Sequence, residues 1–223
     1  MTGIYKPGSF DIFSFHRLSV NTTKTDIDLW EQTRSGDKTA FEALFKNYHR
    51  FLLHYGLKHT ADLELLEDCV QELFIDLWEK APVTELHLFR AYLFQAFRFK
   101  LYRHLQANNR FQKMKMASTE ASSFSLSHEH FLIGNEESSE RTEQLQDAIS
   151  QLSGKQQEII YLRFYLNMDY DEICQVMQIN YQVSRNLLYQ AIKALKASLP
   201  VQSLVPILVL VAQGGQIVFK IHE

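Results

Sequence analysis

The amino-acid sequence predicts an all-α protein of two small helical domains joined by a flexible linker. Only eight Gly and four Pro occur in 223 residues, which favours helices over a turn-rich β fold. Apolar residues recur at helical spacing through two long stretches of the chain. A segment rich in Ser and Glu, residues 117–143, has no such period and separates them, as expected of a linker.

The first domain is expected to span residues 26–108, after a loose N-terminal arm of residues 1–25. Ser35, Gly36 and Asp37 form a natural break between its first two helices. A third helix is predicted at about residues 62–80 because its apolar positions repeat at helical spacing, and Pro82 ends it. A fourth, long and aromatic, is predicted at about residues 86–108.

The second domain is expected to span residues 144–199, after a linker of residues 109–143 with a short ordered patch at residues 131–133. Ser153 with Gln156, and Asp169 with Glu172, have the spacing of capping boxes at helix starts. Three residues separate the short helix that follows Asp169 from a longer one, which is a helix-turn-helix pattern. Residues 200–223 form an apolar tail that suits a hairpin or a packed helix equally.

The composition and the motifs of the sequence limit the classes of function that the protein can have. The formal net charge is −3, so only local charge can indicate a nucleic-acid partner. Neither a signal peptide nor a long apolar span is apparent, and two distant cysteines suggest free thiols, so we expect a cytoplasmic protein. No catalytic motif, cofactor motif or metal motif is present. We therefore expect no enzyme activity and no cofactor, and interpret His128, Glu129 and His130 as exposed linker residues.

The last helix separates its side chains into two faces. The apolar face is predicted to be Val183, Leu187, Leu188, Ala191, Ile192 and Leu195. The polar face carries Gln182, Arg185, Asn186, Tyr189, Gln190 and Lys193. In a helix-turn-helix the second helix enters the major groove, where Arg, Asn and Gln can bond base edges. The alternative is a solvated face of an ordinary helical hairpin.

A second candidate site is the segment between Glu85 and Glu120, which contains no acidic residue. It carries seven basic and seven aromatic side chains. Cations that follow phosphates, beside rings on which bases stack, are typical of single-stranded DNA binding. The alternative is that most of these rings are core, and several must be, because Phe89, Leu93 and Phe97 share one apolar stripe.

The third helix presents a mixed face. Asp68, Gln71, Glu72, Ile75 and Glu79 lie together on it, and an isoleucine amid polar residues suggests a protein interface. A stray exposed isoleucine is the alternative.

These features together resemble a bacterial RNA polymerase sigma factor of the extracytoplasmic-function (ECF) class, with regions two and four. The segments that carry the resemblance are "LLEDCVQELFIDLWEK", "LFRAYLFQAFRFKLYRHL" and "LSGKQQEIIYLRFYLNMDYDEICQVMQINYQVSRNLLYQAIKAL". It implies that the chain binds core RNA polymerase and promoter DNA and directs transcription initiation. It also implies an acidic linker that enters the polymerase active-site channel, and an anti-sigma factor as a further partner.

The resemblance assigns roles to residues by position. Polymerase binding falls to Asp68, Gln71, Glu72, Phe74 and Ile75. Melting and reading of the minus-ten element falls to Arg90, Tyr92, Arg98, Phe99, Lys100 and Arg103. Reading of the minus-thirty-five element falls to Gln182, Arg185, Asn186, Tyr189, Gln190 and Lys193.

The chain departs from the family pattern at two places. Phe99 stands where many members carry an Asn that holds a flipped minus-ten base, which suggests stacking. Leu187 and Gln190 stand where basic residues are frequent in the family, which predicts weaker binding of this helix to DNA phosphates.

Two other functions fit part of the sequence. A stand-alone helix-turn-helix regulator would explain the second domain and leave the acid-free aromatic segment unused. A nucleic-acid enzyme would need metal-binding carboxylates, for which Asp169, Asp171 and Glu172 are candidates, although they read better as helix-start residues.

Overall fold

A computed structural model describes residues 24–79, 88–113, 124–126 and 139–199. For residues 24–25, 108–113 and 139–143 it describes the backbone only. Its helices are α1 (Lys24–Arg34), α2 (Lys38–Gly56), α3 (Leu63–Glu79), α4 (Phe89–Lys113), α5 (Ser139–Ser150), α6 (Gly154–Ile160), α7 (Tyr170–Met177) and α8 (Tyr181–Ser198). The predicted all-α fold with two helical domains, α1–α4 and α5–α8, is confirmed. The proposed N-terminal arm, the patch at residues 131–133, the histidines near residue 129 and the apolar tail lie outside the described residues.

The first domain is a four-helix arrangement around aromatic side chains. The break before α2 forms as predicted: Gly36 has a positive φ of 92°, and the Asp37 carboxylate accepts the backbone N–H groups of Thr39 and Ala40. Trp30 of α1 stacks on Phe89 of α4 with ring centroids 5.3 Å apart. Gly56 permits close packing, because a Cβ there would overlap Leu66 of α3.

The second domain begins with α5 and α6 and ends in the helix-turn-helix. Both predicted capping boxes, Ser153 with Gln156 and Asp169 with Glu172, are confirmed. After α6 the helix widens into a π turn at Tyr161–Tyr165, a feature often found at functional sites.

Two residues make the sharp turn between α7 and α8. Gln178 adopts a left-handed conformation that ends α7, and the Asn180 side chain accepts the Val183 N–H at 2.8 Å to start α8. This geometry confirms the predicted helix-turn-helix.

The two domains pack against each other through α4 on one side and through α6 and α7 on the other. His54 of α2 takes part, because its Nδ1 lies 2.9 Å from the Tyr161 hydroxyl and its ring stacks on Tyr165. Within the described ranges, no helix is both long and apolar enough to span a bilayer.

Candidate nucleic-acid interface

The polar face of α8 is fully presented to solvent. All six predicted residues are exposed: Gln182, Arg185, Asn186, Tyr189, Gln190 and Lys193. Among the large apolar and aromatic side chains that the structure describes, Tyr189 is the most open, at 67% exposure. Near the start of the helix the Gln182 amide donates to Asn186 Oδ1 at 3.1 Å, and the Arg185 guanidinium lies over the Tyr181 ring. These contacts orient the side chains that would reach a groove.

The opposite face of α8 differs from the sequence prediction at its first turn. Val183 was expected in the apolar face but is 45% exposed, so that prediction is wrong. The buried stripe begins instead at Ser184 and continues through Leu188, Ala191 and Leu195. The reason is the rotation of the helix. The buried residues recur every three or four positions and so share one side of α8, whereas Val183 lies about 100° around the axis from Ser184.

The cationic segment on α4 is engaged inside the molecule at its N-terminal end. Arg90 is only 2% exposed, and Glu172 of α7 binds it through two hydrogen bonds, Nε to Oε1 at 2.9 Å and Nη2 to Oε2. The guanidinium also donates to the carbonyl oxygens of Leu166 at 3.1 Å and Asn167 at 3.4 Å. In this arrangement the guanidinium has no side open to DNA.

Arg98, two turns further along α4, meets a second buried carboxylate. Its Nε donates to Glu158 Oε1 of α6 at 3.0 Å, and the Tyr55 hydroxyl donates to the same oxygen at 2.5 Å. Glu158 is completely buried, and its Oε2 has no hydrogen-bond partner among the described residues. Burial and the adjacent Glu158 carboxylate raise the pKa of the Tyr55 hydroxyl, so that it stays a donor.

The remaining minus-ten candidates are more open. Phe99 is 66% exposed, and Tyr92 is half-buried nearby. Lys100 pairs with Asp76 and lies 3.7 Å from Glu72, both on α3. Arg103 is largely exposed and lies 3.8 Å from Glu72. Among the α4 side chains that the structure describes, Phe99 is therefore the most accessible ring for stacking a base.

The candidate polymerase-binding residues on α3 divide between surface and core. Asp68, Gln71 and Ile75 are exposed, with Ile75 at 54%. Phe74 is buried and packs edge-on against Phe41 and Phe45 of α2, so it can only support the surface from beneath.

The last α3 candidate, Glu72, faces α4. Its carboxylate lies 3.2 Å from Nε2 of His104, in addition to its approaches to Lys100 and Arg103. Its role within the chain is therefore to bind the cations of α4.

Sequence analysis missed an apolar groove beside these residues. A cavity of about 520 Å³ lies between α2 and α3, lined by Lys38, Phe41, Glu42, Phe45, Gln71, Phe74, Ile75, Trp78 and Glu79. Trp78 is three residues after Ile75 and seven after Gln71, so helical spacing placed it on this face and was the available signal.

A short piece of the linker also takes part in the domain contact. Phe124 is buried between the rings of Tyr55, His59 and Tyr161, at centroid distances of 6.0, 5.0 and 5.8 Å. The backbone N–H groups of the next two residues hold the segment: Ser125 donates to the Lys58 carbonyl at 2.8 Å and Leu126 donates to the Gln157 side-chain oxygen at 2.9 Å. Nothing in the local sequence of the linker distinguished Phe124 from its neighbours.

Two of the three carboxylates considered for an enzyme have structural uses, and the third, Asp171, is exposed in the first turn of α7. Asp169 and Glu172 cap α7, and Glu172 also binds Arg90. Among the residues that the structure describes, no group of three or more His, Cys, Asp or Glu side chains could hold a metal ion. Cys69 and Cys174 are free thiols, as predicted.

Two family models match the chain and together cover more than half of it. "Sigma-70 region 2" matches residues 44–111, and "Sigma-70, region 4" matches residues 142–195. No curated protein matches significantly.

Among solved structures, CnrH, determined in complex with the cytosolic domain of CnrY, is similar over 78% of this chain and 96% of its own. The two are 18% identical with a TM-score of 0.51, which is a likeness of fold. BldN, in the RsbN–BldN complex, matches over 76% of this chain and 99% of its own, at 20% identity and a TM-score of 0.32.

The chain has two helical domains, and the second contains a helix-turn-helix. The region 2 model matches the first domain and the region 4 model matches the second. Together these features define a bacterial transcription initiation factor. The chain belongs to the sigma-70 family, as a sigma factor with regions 2 and 4. Its partners as a sigma factor are core RNA polymerase and promoter DNA.

Proposed function

We propose that the chain directs RNA polymerase to specific promoters by reading the minus-thirty-five element with α8 and opening the minus-ten element with α4. It does so without catalytic chemistry of its own. The observation that carries the proposal is the outer face of α8, where six side chains of hydrogen-bonding type are exposed together after a tightly capped turn. Such a face fits the major groove, where Asn and Gln can pair with adenine and Arg with guanine.

The first domain supplies the surfaces for polymerase and for the opened strand. The groove between Phe41 and Trp78, with Gln71 and Ile75 on its rim, is apolar at its centre and polar at its edge, as protein interfaces commonly are. On α4, exposed Phe99 offers a stacking surface beside Arg103, a combination typical of sequence-tolerant single-strand binding. The stacking mode fits the absence of the family's Asn at that position.

A protein that restrains the factor is proposed as a further partner. CnrH, which shares the fold, was solved in complex with the cytosolic domain of another protein. We extend this kind of partner, an anti-sigma factor, to the present chain.

The test is reconstitution with core polymerase of the host bacterium on genomic DNA, followed by sequencing of transcript starts. We expect starts that share one upstream and one minus-ten sequence. Gln71→Ala combined with Ile75→Ala should reduce co-purification with core polymerase, whereas Gln144→Ala, an exposed amide on α5, should not. Sequence-specific duplex binding without any polymerase dependence would instead favour the stand-alone regulator.

A further inference from the structure

The side of α4 that carries Arg90 and Arg98 is covered by the second domain of the same chain. We infer that the chain has a closed, latent form in which Glu172 and Glu158 take the place of DNA phosphates on these two arginines. The inference rests on the proposed function, because it concerns the regulation of the same DNA-binding helix.

The geometry at Arg90 is that of anion recognition. Glu172 engages the guanidinium through both carboxylate oxygens, the arrangement in which arginine also binds phosphate. Two backbone carbonyls of the second domain use further donors. A phosphate can reach Arg90 only after Glu172 leaves, since the ion pair is almost completely buried.

The same exchange applies at Arg98, where Glu158 is buried and shared with Tyr55. An isolated buried charge is costly, so neither the acid nor the arginine can be left alone. Opening therefore exposes both partners together, and promoter phosphates can then replace the carboxylates.

The stacking side of α4 is bordered by the second domain as well. A cavity of about 360 Å³ is lined by Tyr92, Phe99 and Arg103 of α4, by neighbouring residues of α3 and α4, and by Gln178 from the turn of the helix-turn-helix. An opened DNA strand approaching Phe99 meets this turn at one edge of the cavity.

The linker segment Phe124–Leu126 fastens the closed form. Phe124 lies between Tyr55 and His59 of the first domain and Tyr161 of the second, so separating the domains uncovers its ring. If polymerase binding pulls on the linker, withdrawal of Phe124 would couple polymerase binding to opening. The apparent affinity of the free chain for DNA is then the affinity of the open form multiplied by the fraction of molecules that are open.

The decisive experiment links the domains covalently at Gln95 and Gln175, whose side chains lie 3.4 Å apart across α4 and α7. Full-length Gln95→Cys/Gln175→Cys is prepared with Cys174→Ala, to remove the adjacent thiol. Cys69 is retained, since burial raises its pKa to about 11 and makes it a poor target. A short bismaleimide forms the link, and a monofunctional maleimide serves as the control.

With core polymerase on a mapped promoter, we expect the linked chain to give roughly a tenth or less of the control's transcript. Equal transcript from the linked and control chains would overturn the closed form as an inhibited state. Failure of the link to form, while both cysteines react with the monofunctional reagent, would overturn it too. If the unmodified variant and the wild-type chain direct no defined starts, it is the proposed function that fails, and the inference with it.

A second measurement opens the molecule. Glu172→Gln keeps an oxygen for the α7 cap but removes the charge that faces Arg90, and Phe124→Ala removes the linker ring. Both should raise the affinity of the full chain for a single strand of the mapped minus-ten sequence by roughly tenfold. Glu31→Gln, an equal charge change on an exposed site of α1, should not. Unchanged affinity in both variants would contradict the masking of α4.

Discussion

The two helices proposed to contact DNA differ in how much of their polar surface is free. On α8, all six candidate residues are exposed. On α4, Arg90 and Arg98 are bound to carboxylates of the second domain, and Lys100 to carboxylates of α3. A cationic, aromatic helix is therefore not always an open surface, because the same charges that attract phosphates also attract the carboxylates of the chain itself.

The largest expected effect tests the covered helix. Arg90→Ala leaves the Glu172 carboxylate buried without the cation that neutralises it, which typically costs about 3–5 kcal/mol. Arg103→Ala removes a largely exposed pair and should cost under about 1 kcal/mol. Urea denaturation of the full chain measures both. Equal effects of the two substitutions would remove the distinction between the covered and open ends of α4.

A somewhat smaller effect tests the two sides of α8. Leu188 is buried, and truncation to Ala should lower the free energy of unfolding by about 3 kcal/mol through lost burial and the cavity left behind. Val183→Ala should change it by less than about 0.5 kcal/mol, since Val183 is 45% exposed and lies outside the buried stripe. Thermal melts of the two variants provide the comparison. A large loss for Val183→Ala would restore the sequence-based assignment of the apolar face.

The exposed face of α8 predicts an effect on specificity and not on stability. Asn186→Ala or Gln190→Ala should relax the preference at one upstream base pair by about 1–3 kcal/mol, whereas loss of a phosphate contact weakens all sequences alike. The measurement is transcription from a randomised minus-thirty-five library by polymerase carrying each variant. An unchanged base preference in both variants, with melting temperatures also unchanged, would mean that this face is only a solvated helix surface.

The last expected effect concerns acid and the buried ring of His59, which lies beside Phe124. Burial, aided by the nearby Arg98 charge, lowers the pKa of His59 from 6.5 to about 3. The unfolded chain therefore binds a proton that the folded chain refuses between these values. Stability is intact above pH 6.5 and falls as the pH drops, by up to about 1.4 kcal/mol per pH unit.

His59→Phe keeps an aromatic ring beside Tyr55 and Phe124 and should reduce this acid sensitivity. Denaturant titrations of wild type and variant at pH 7 and pH 5 provide the test. Parallel losses of stability in the two proteins would exclude His59 as the source.

Sequence predicted well the features that depend on near neighbours. Both capping boxes and the break at Gly36 involve residues at most a few positions apart, and all formed as expected. The prediction that Val183 is buried was wrong because moving the buried stripe by one residue, from Val183 to Ser184, changes which side of the first turn of α8 is buried. Burial of Arg90 could not be foreseen, since its partner Glu172 is 82 residues away and no local pattern joins them. Phe124 is another such case, because the rings around it come from both domains.

The π turn at Tyr161–Tyr165 sets the orientation of α7 and α8 relative to α6. The Leu166 N–H bonds back to the Tyr161 carbonyl, five residues earlier, so the turn accommodates one residue more than an α-helical turn would. Removing one residue here would let the helix close to ordinary α geometry and swing everything after it by about 100°. Glu158 would keep its place beside Arg98, while Glu172 and the helix-turn-helix would face elsewhere. A one-codon deletion in this turn would thus leave the sequence of α8 unchanged but point its polar face in a different direction.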